Sequence, residues 1–557
     1  MNDIRRTILW VIFGFSLVML WDQWQVHNGR QPTFLPSSKP AATAPQTPPA
    51  AAPGAAVSDL PSATGTTGDA SAAVPGSTAT AAPSAREQIV VKTDVLELTF
   101  DTEGGSLVRS AFVDHDDQSG QDRPFVLLDQ SPNRYYVAES GLIGGNFPTH
   151  KTPMSFSGER TLPDGADELV LRFESADIGG VKLVKTWTLK RGAYDMAVRH
   201  EIVNTGSAPV SPQLYLQLVR DGNKPPGESS FYSTFTGPAV YTEAKKYQKI
   251  DFDDIAKGKA DFVKESPDGY VAMVQHYFAS AWILGQGVQR ELFARKVSDN
   301  LYAVGMIAPA DAVAPGASKA IDAQLYVGPQ VEKQLEAVAP GLELVKDYGI
   351  FTIISKPLYW LLDKLHGMLG NWGWAIVALV VLLKIAFYWL NAKAYSSMAK
   401  MKAINPKVME MRARLKDKPQ EMQQEMMRIY REEKVNPLGG CFPILVQIPV
   451  FIALYWVLLS SVEMRHAPWI GWIQDLSAPD PWYILPVVMT ATSLLQTWLN
   501  PTPPDPMQAK LMWIMPLAFS VMFIFFPAGL VLYWITNNIL SIAQQWVINK
   551  RLGVLGK

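Results

Sequence analysis

The apolar residues of this 557-residue chain are gathered into a few long runs, and that clustering constrains the fold more than any other feature. Beyond residue 350, runs at about 372–390, 442–461, 483–499, 511–527 and 529–548 are each long enough, or nearly so, to cross roughly 30 Å of bilayer hydrocarbon. The mean hydropathy of +0.04 conceals them, because it averages over the whole chain. A further run, Ile8 to Trp21, follows Arg5 and Arg6 and is closed by Asp22, Gln23 and Trp24. With no Ala-x-Ala cleavage site nearby, it reads as an uncleaved signal anchor within residues 1–28; a cleaved signal peptide is the competing reading.

Lysine and arginine orient these runs. Arg5 and Arg6 predict an N-terminus inside, and the 391–437 segment carries eleven Lys/Arg against six acidic residues, which predicts that it too is inside. Lys550, Arg551 and Lys557 predict the same for the C-terminus. Six crossings with both ends inside satisfy the positive-inside rule and put the intervening domain outside.

That intervening part has two textures. Residues 29–87 are mostly Pro, Ala, Ser, Thr and Gly, with only Lys39, Asp59 and Asp69 charged between 31 and 85. Such a composition predicts a flexible tether. Over 88–345 the pattern turns to period two: Leu96, Leu98 and Phe100 alternate with Glu97 and Thr99, and Tyr194, Met196, Val198 and Ile202 share a face opposite Asp195, Arg199 and Glu201. Leu169, Leu171 and Phe173, then Leu214, Leu216 and Leu218, repeat the theme. Many short strands at this spacing predict a large antiparallel sandwich without long helices. Residues 346–369 mix Lys356, Asp363, Lys364 and His366 with Leu, Ile, Tyr and Trp, which suits a helix lying in the membrane interface.

Several function classes drop out. With 50 Lys+Arg against 51 Asp+Glu, the chain lacks the basic excess of a general nucleic-acid binder. Its single cysteine, Cys441, excludes a disulfide framework, a redox pair and a cysteine zinc site. The seven histidines show no metal-ligand spacing, and neither a nucleophile elbow nor a phosphate loop is present. Asp114-His115-Asp116-Asp117 reads as a solvated turn ahead of a cation site. No enzyme activity, cofactor or metal is expected.

What stands out is polarity inside the apolar runs. Lys384 lies within Val380 to Phe387, where a charge costs about 2.5–3.5 kcal/mol on insertion scales. Two readings stand side by side: a functional cation, or a side chain that snorkels to the headgroups. Tyr533, Asn537, Ser541 and Gln544 fall on one helical face of the last run. Thr490, Ser493 and Thr497 form another stripe beside Thr492 and Gln496, and Gln447 sits between Pro443 and Pro449. Such stripes serve as hydrogen-bonding glue between helices or line a shared wet groove. In the 391–437 segment, Ala394, Met398, Met401, Ile404, Val408, Met411 and Leu415 make one helical seam. Asp417-Lys418-Pro419 breaks it, and Met422, Met426 and Ile429 continue it, which predicts a helical hairpin. Its methionines either zip the hairpin together or offer an adaptable docking surface.

Gly370-Asn371-Trp372-Gly373, Ser397-Met398-Ala399-Lys400-Met401, the stretch from Lys434 through Asn436-Pro437-Leu438-Gly439-Gly440 to Pro443, Asp480 to Pro486 and Phe526 to Tyr533 together resemble the YidC membrane protein insertase family. The resemblance is dense over the last 200 residues. It implies a polytopic α-helical membrane protein with six transmembrane helices, five of them forming an insertase core over 370–557. It also implies a large all-β periplasmic supersandwich and a cytoplasmic helical hairpin. By the same resemblance, hydrophobic segments of nascent inner-membrane proteins are bound in a positively charged hydrophilic groove and released sideways into the phospholipid bilayer, alone or with the Sec translocon. The ribosome and the signal recognition particle pathway are further partners it suggests.

Lys384 stands where the family carries arginine, so bidentate pairing with a carboxylate is not available. Gln447 matches another groove position, and Tyr533-Trp534 matches an aromatic pair that meets substrate helices. With the polar stripes, the expected groove comprises Lys384, Gln447, Thr490, Ser493, Tyr533, Trp534 and Asn537, and the expected hairpin surface Met398, Met401, Met411, Met422 and Met426. The alternative is a secondary transporter that binds a small anion at Lys384, although the internal repeats common in transporters are not found. A membrane enzyme acting on carbohydrate would need a carboxylate or histidine constellation that the chain does not display.

Overall fold

The computed structural model describes residues 60–61, 86–117, 123–225, 234–415, 418–433, 442–500, 506–551 and 553. The expected anchor at 1–28, nearly all of the 29–87 tether and most of the Lys434–Pro443 motif lie outside the described residues. The chain divides into two compact units, one ending at Lys346 and one running from Asp347 to Lys557.

The first unit is built from two nine-stranded sheets in which all strand neighbours pair antiparallel. One sheet runs, edge to edge, Gln88–Lys92, Leu96–Asp101, Ser106–Asp116, Pro124–Ser131, Arg134–Ile143, Gln213–Asp221, Leu301–Pro309, Arg290–Ser298 and Glu265–Ser266. The other runs Lys246–Lys249, Gly237–Thr242, Tyr270–Gln275, Phe278–Leu284, Ser318–Pro329, Asp195–Asn204, Val181–Lys190, Glu168–Ser175 and Met154–Gly158. Their facing sides interlock. Phe100 meets Trp187 edge-on at 5.0 Å, the Trp282 indole donates to the Gln217 carbonyl (3.1 Å), and the Tyr136 hydroxyl reaches Ser280 (2.6 Å). The alternation read from sequence holds, since Leu96, Leu98, Phe100, Met196, Val198 and Ile202 are all buried. Two short helices, α1 (Phe252–Ala256) and α2 (Glu332–Val338), are the only α-helices of this unit among the described residues.

Alternation also buries two residues that should resist it. Lys185 and His200 are both at 0 % exposure between the sheets. The Lys185 ammonium is solvated by backbone, donating to the carbonyls of Gly104 (2.6 Å) and Ser140 (2.7 Å). His200 Nε2 lies 2.9 Å from the Ser140 hydroxyl. Burial, only partly opposed by Glu139, pushes Lys185 down to about 7. Burial and then the Lys185 charge push His200 down to about 3, so it is neutral at physiological pH.

The second unit contains α3 (Thr352–Leu369), α4 (Trp372–Ala386), α5 (Tyr388–Arg414), α6 (Pro419–Glu432), α7 (Phe442–Ser460), α8 (Ile484–Leu499), α9 (Pro506–Phe523) and α10 (Ala528–Arg551). Gly370 closes α3 in the left-handed conformation, and Asn371 caps α4 by accepting from the Trp374 N–H (3.1 Å). The Asn371 amide also donates to the carbonyls of Pro468 and Trp469, tying that cap to the α7–α8 connection. Asp480, 1 % exposed, plays a matching part for α8: its carboxylate accepts from the Trp472 indole (3.0 Å) and the backbone N–H groups of Trp482 (3.0 Å) and Leu485 (2.7 Å).

The five apolar runs each become a helix, with shifted bounds. The first of them ends at Ala386 rather than 390, because the chain bends by 69° between α4 and α5. No single described helix is both long and apolar enough to cross a membrane, whereas α4 and α5 together pass that test. α10 is long, but its second half carries Asn537, Asn538, Ser541, Gln544 and Gln545, which lowers its apolar character. α5 packs on α6 as well as on α10. Lys407 meets Glu433 (2.6 Å) and Arg414 approaches Glu425 (3.8 Å), while Ile404, Val408 and Met411 are buried.

Lys185 sets a pH dependence. Between about 7 and its unfolded value of 10.5, the unfolded chain holds a proton that the folded sandwich releases, so stability rises with pH across that window. In the intact protein, the urea midpoint of the sandwich, read by pulse proteolysis, should increase from pH 7 to pH 9. Lys185→Met should flatten that slope; an unchanged slope would assign it to another group.

Candidate functional site

α10 is the hub of the helical unit, packing against α8, α4, α5 and α7. Asn538, Ser541, Gln545 and Asn549 recur along it at spacings of three, four and four, and all are buried. Each of the first three reaches a different neighbour. The Asn538 amide donates to Ser493 (3.0 Å) and Thr492 (3.3 Å) of α8. The Gln545 amide donates to the Asn500 side chain (3.0 Å) just beyond α8. Ser541 accepts from the Lys384 ammonium of α4 at 2.7 Å and gives its own proton to the Asn537 carbonyl (2.7 Å). Tyr395 of α5 lies beside the same serine, and α5 packs on α10 there, so three helices meet around one hydroxyl.

A second link joins the bend to α7. Gln447 donates to Asn391 at 2.9 Å, and Gln544 donates to the Tyr388 carbonyl at 3.0 Å, both within the first turn of α5. The remaining amide nitrogen of Asn391 and the carbonyl oxygen of Gln545 are buried without a partner among the described residues. Above this polar layer the aromatics close up: Phe451 meets Trp534 edge-on at 4.7 Å and Tyr533 at 5.9 Å, and Phe523 lies 5.3 Å from Trp534.

The structure thus joins some of the expected groove residues and separates others. Lys384 meets the polar face of α10, Ser493 meets α8's partner Asn538, and Tyr533 and Trp534 share Phe451. Thr490 instead bonds back to the Pro486 carbonyl of its own helix (2.7 Å). Asn537 contributes its carbonyl, while its neighbour Asn538 supplies the side-chain bridge. Met398, Met401, Met422 and Met426 are half-buried along α5 and α6, and Met411 is fully buried. Asn391, Tyr395, Asn500, Asn538 and Gln545 were missed by sequence reasoning. The doublets Asn537-Asn538 and Gln544-Gln545 carried the signal, since they support two stripes about 100° apart on one helix.

Lys384 is the informative member. Its hydrogen-bond partner is a neutral hydroxyl, and no carboxylate among the described residues forms an ion pair with it. An ammonium has three donors. Such a group, partly withdrawn from water and not neutralised, is able to accept an anionic or strongly polar partner.

Family models match nearly all of the described chain. The YidC periplasmic domain model covers residues 88–361, and the 60Kd inner membrane protein model covers residues 364–554. The chain belongs to the YidC membrane protein insertase family. A membrane protein insertase YidC of Cupriavidus necator is 56% identical over 99% of this chain and 98% of its own length, and one of Ralstonia nicotianae is 54% identical over the same shares. A solved structure described as an active YidC insertase with the first transmembrane domain resolved is similar at 19% identity, covering 82% of this chain and 91% of that one, with a TM-score of 0.37. The two-sheet unit is accordingly the family's periplasmic domain, and the α-helices after it belong to an inner-membrane protein.

The Asn538 bridge gives a stability test. Asn538→Leu leaves Ser493 and Thr492 without their donor and should cost about 1 kcal/mol, the scale of hydrogen bonds within membrane bundles. Thermal melting of the detergent-solubilised protein should drop measurably for Asn538→Leu and less for Asn537→Leu. Equal losses would remove the distinction between the two stripes.

Proposed function

We propose that the chain inserts nascent membrane proteins through a hydrophilic groove in which Lys384 is the attracting charge. The observation that carries this reading is the Lys384 ammonium, bound among the described residues to the Ser541 hydroxyl and to no carboxylate, as the one charged side chain of a helix otherwise made of Val, Leu, Ile, Ala, Gly and Trp. Moving the polar flank of a client across hydrocarbon is costly because its charges and backbone lose water. A cation in a wet recess shortens that dry path. The hydrophobic segment then partitions into lipid unaided, which requires no nucleotide-binding motif.

In this reading the chain crosses the inner membrane six times with both termini cytoplasmic, and α5 with α6 forms the cytoplasmic hairpin. Gln447, Thr490, Ser493, Tyr533, Trp534 and Asn537 line the groove, and clients arrive with or without the Sec translocon, from the ribosome or the signal recognition particle pathway. α3 lies in the interface plane. Its support is two-sided: Leu358, Tyr359 and Leu362 are buried, while Ile353 is 90% and Met368 82% exposed, with Trp360 on the same side.

Two experiments bear on this. Lys384→Ala should slow insertion of small clients with acidic external tails about tenfold or more, while Lys384→Arg should not; the scale is that of a charge-assisted hydrogen bond. Wild-type insertion by Lys384→Ala would return this lysine to a snorkelling role. A stalled nascent membrane protein should photocrosslink to probes at 447, 533 and 534, and a client that meets none of them would move the groove elsewhere.

A further inference from the structure

Strand alternation gives the first sheet of the β unit two faces. Tyr136, Ala138, Ser140 and Leu142 face the second sheet, as the side-chain hydrogen bonds Tyr136–Ser280 and His200–Ser140 require. Val137, Glu139, Gly141 and Ile143 therefore lie on the opposite face. A sheet face without cover would leave such residues open to water, yet Ile143 and Ile307 are buried there and Tyr215 is fully so. Phe293 supplies part of the cover. Its ring lies across Gly305, where a Cβ would come within 2.4 Å of Phe293 Cζ, so only glycine leaves room for it. His150 covers the Tyr215 end, with its ring edge-on to Tyr215 and hydrogen-bonded to the hydroxyl (2.6 Å). Further cover comes from far away in sequence: Leu60 packs against the cluster of Ile143, Tyr215 and Ile307 beside Phe293, and Pro61 after it is buried.

Leu60 is not an arbitrary member of its segment. Across residues 40–85 it is the sole apolar side chain larger than valine, in a background of Ala, Pro, Ser, Thr and Gly. That background cannot cover a sheet face, whereas one leucine can fill a pocket bounded by two isoleucines and an aromatic ring. The proline after it restricts the backbone before docking and so lowers the ordering cost. Because motif and pocket belong to one chain, their high effective concentration lets a two-residue anchor hold.

We propose that Leu60–Pro61 is a docking motif, and that the outer face of the first sheet, at Ile143, Tyr215, Phe293 and Ile307, is a peptide site whose resident ligand is the chain's own tether. Seating the motif pins the tether near its middle. Between the expected anchor and the seated motif the sequence counts 31 residues (29–59), against 57 (29–85) between that anchor and the β unit. The motif is thus a clasp that limits how far the periplasmic domain ranges.

The test uses the full-length protein in nanodiscs, with Cys441→Ser and spin labels on Ser62→Cys and on Val113→Cys, an exposed position of the first sheet. Pulsed electron–electron distance measurements should give one narrow distribution in this parent. Leu60→Asp should broaden it several-fold, and Leu60→Met should keep it narrow. A distribution equally broad in parent and Leu60→Asp means that the motif does not dock. One equally narrow in both means that Leu60 is not the anchor. Either result overturns the proposal.

Discussion

A polar group taken out of water must find a partner, and that requirement organises both units of this protein by different routes. In the helical unit the outward surface is as apolar as the interior, so hydrophobic contrast does little to choose which helices pair. The polar stripe of α10 makes the choice instead. Asn538 selects α8, Ser541 selects α4, Gln544 selects α5, and Gln545 selects the end of α8. Sliding α10 by one residue along any neighbour would break these bonds together, which is why a handful of weak interactions is enough to set one arrangement.

In the β unit hydrophobic contrast does the sorting, and buried polar groups are exceptions that the backbone absorbs. Arrangement follows from pattern there: one face of Asp195–Asn204 carries Tyr194's neighbours Met196, Val198 and Ile202 inward, and His200, at an even position between them, must follow. The period that made those strands legible also contained the buried histidine, although a search by metal-ligand spacing passed over it. Leu60 was illegible for the opposite reason. A lone leucine in a Pro/Ala tether has no period, and its pocket is assembled from four strands, all distant from it in sequence.

The helical unit was legible in kind and less so in register. Long apolar runs and a central lysine are strong local signals, and each run did become a helix. The bend at Phe387 has no such signal, because Ala386, Phe387 and Tyr388 continue the apolar run with no Pro or Gly to break it. The bend is set by what flanks it: Gln447 and Gln544 hold the first turn of α5 from two other helices. Adjacent polar residues caused the remaining error. Asn537 and Asn538 lie about 100° apart on the helix, and only the position of α8 decides which one bridges.

The two buried lysines show how partner chemistry separates structure from function. Lys185 is wrapped between sheets and bound by two carbonyl oxygens, full-strength acceptors fixed by the strands themselves, with no room for another ligand. Its charge is a cost the fold absorbs, and it serves no exchange with the outside. Lys384 has one hydrogen-bond acceptor among the described residues, a serine hydroxyl whose proton is already committed to Asn537, and it remains partly exposed. Among the described residues, then, the ammonium keeps donor capacity that the proposed client binding would use. A site that satisfied the ammonium completely would bind clients poorly, because each new bond would first have to break an old one. A site that left it wholly unsatisfied would not keep it in the helix packing. One hydroxyl is the intermediate solution: enough to hold the cation at the junction of α4, α5 and α10, and too little to neutralise it.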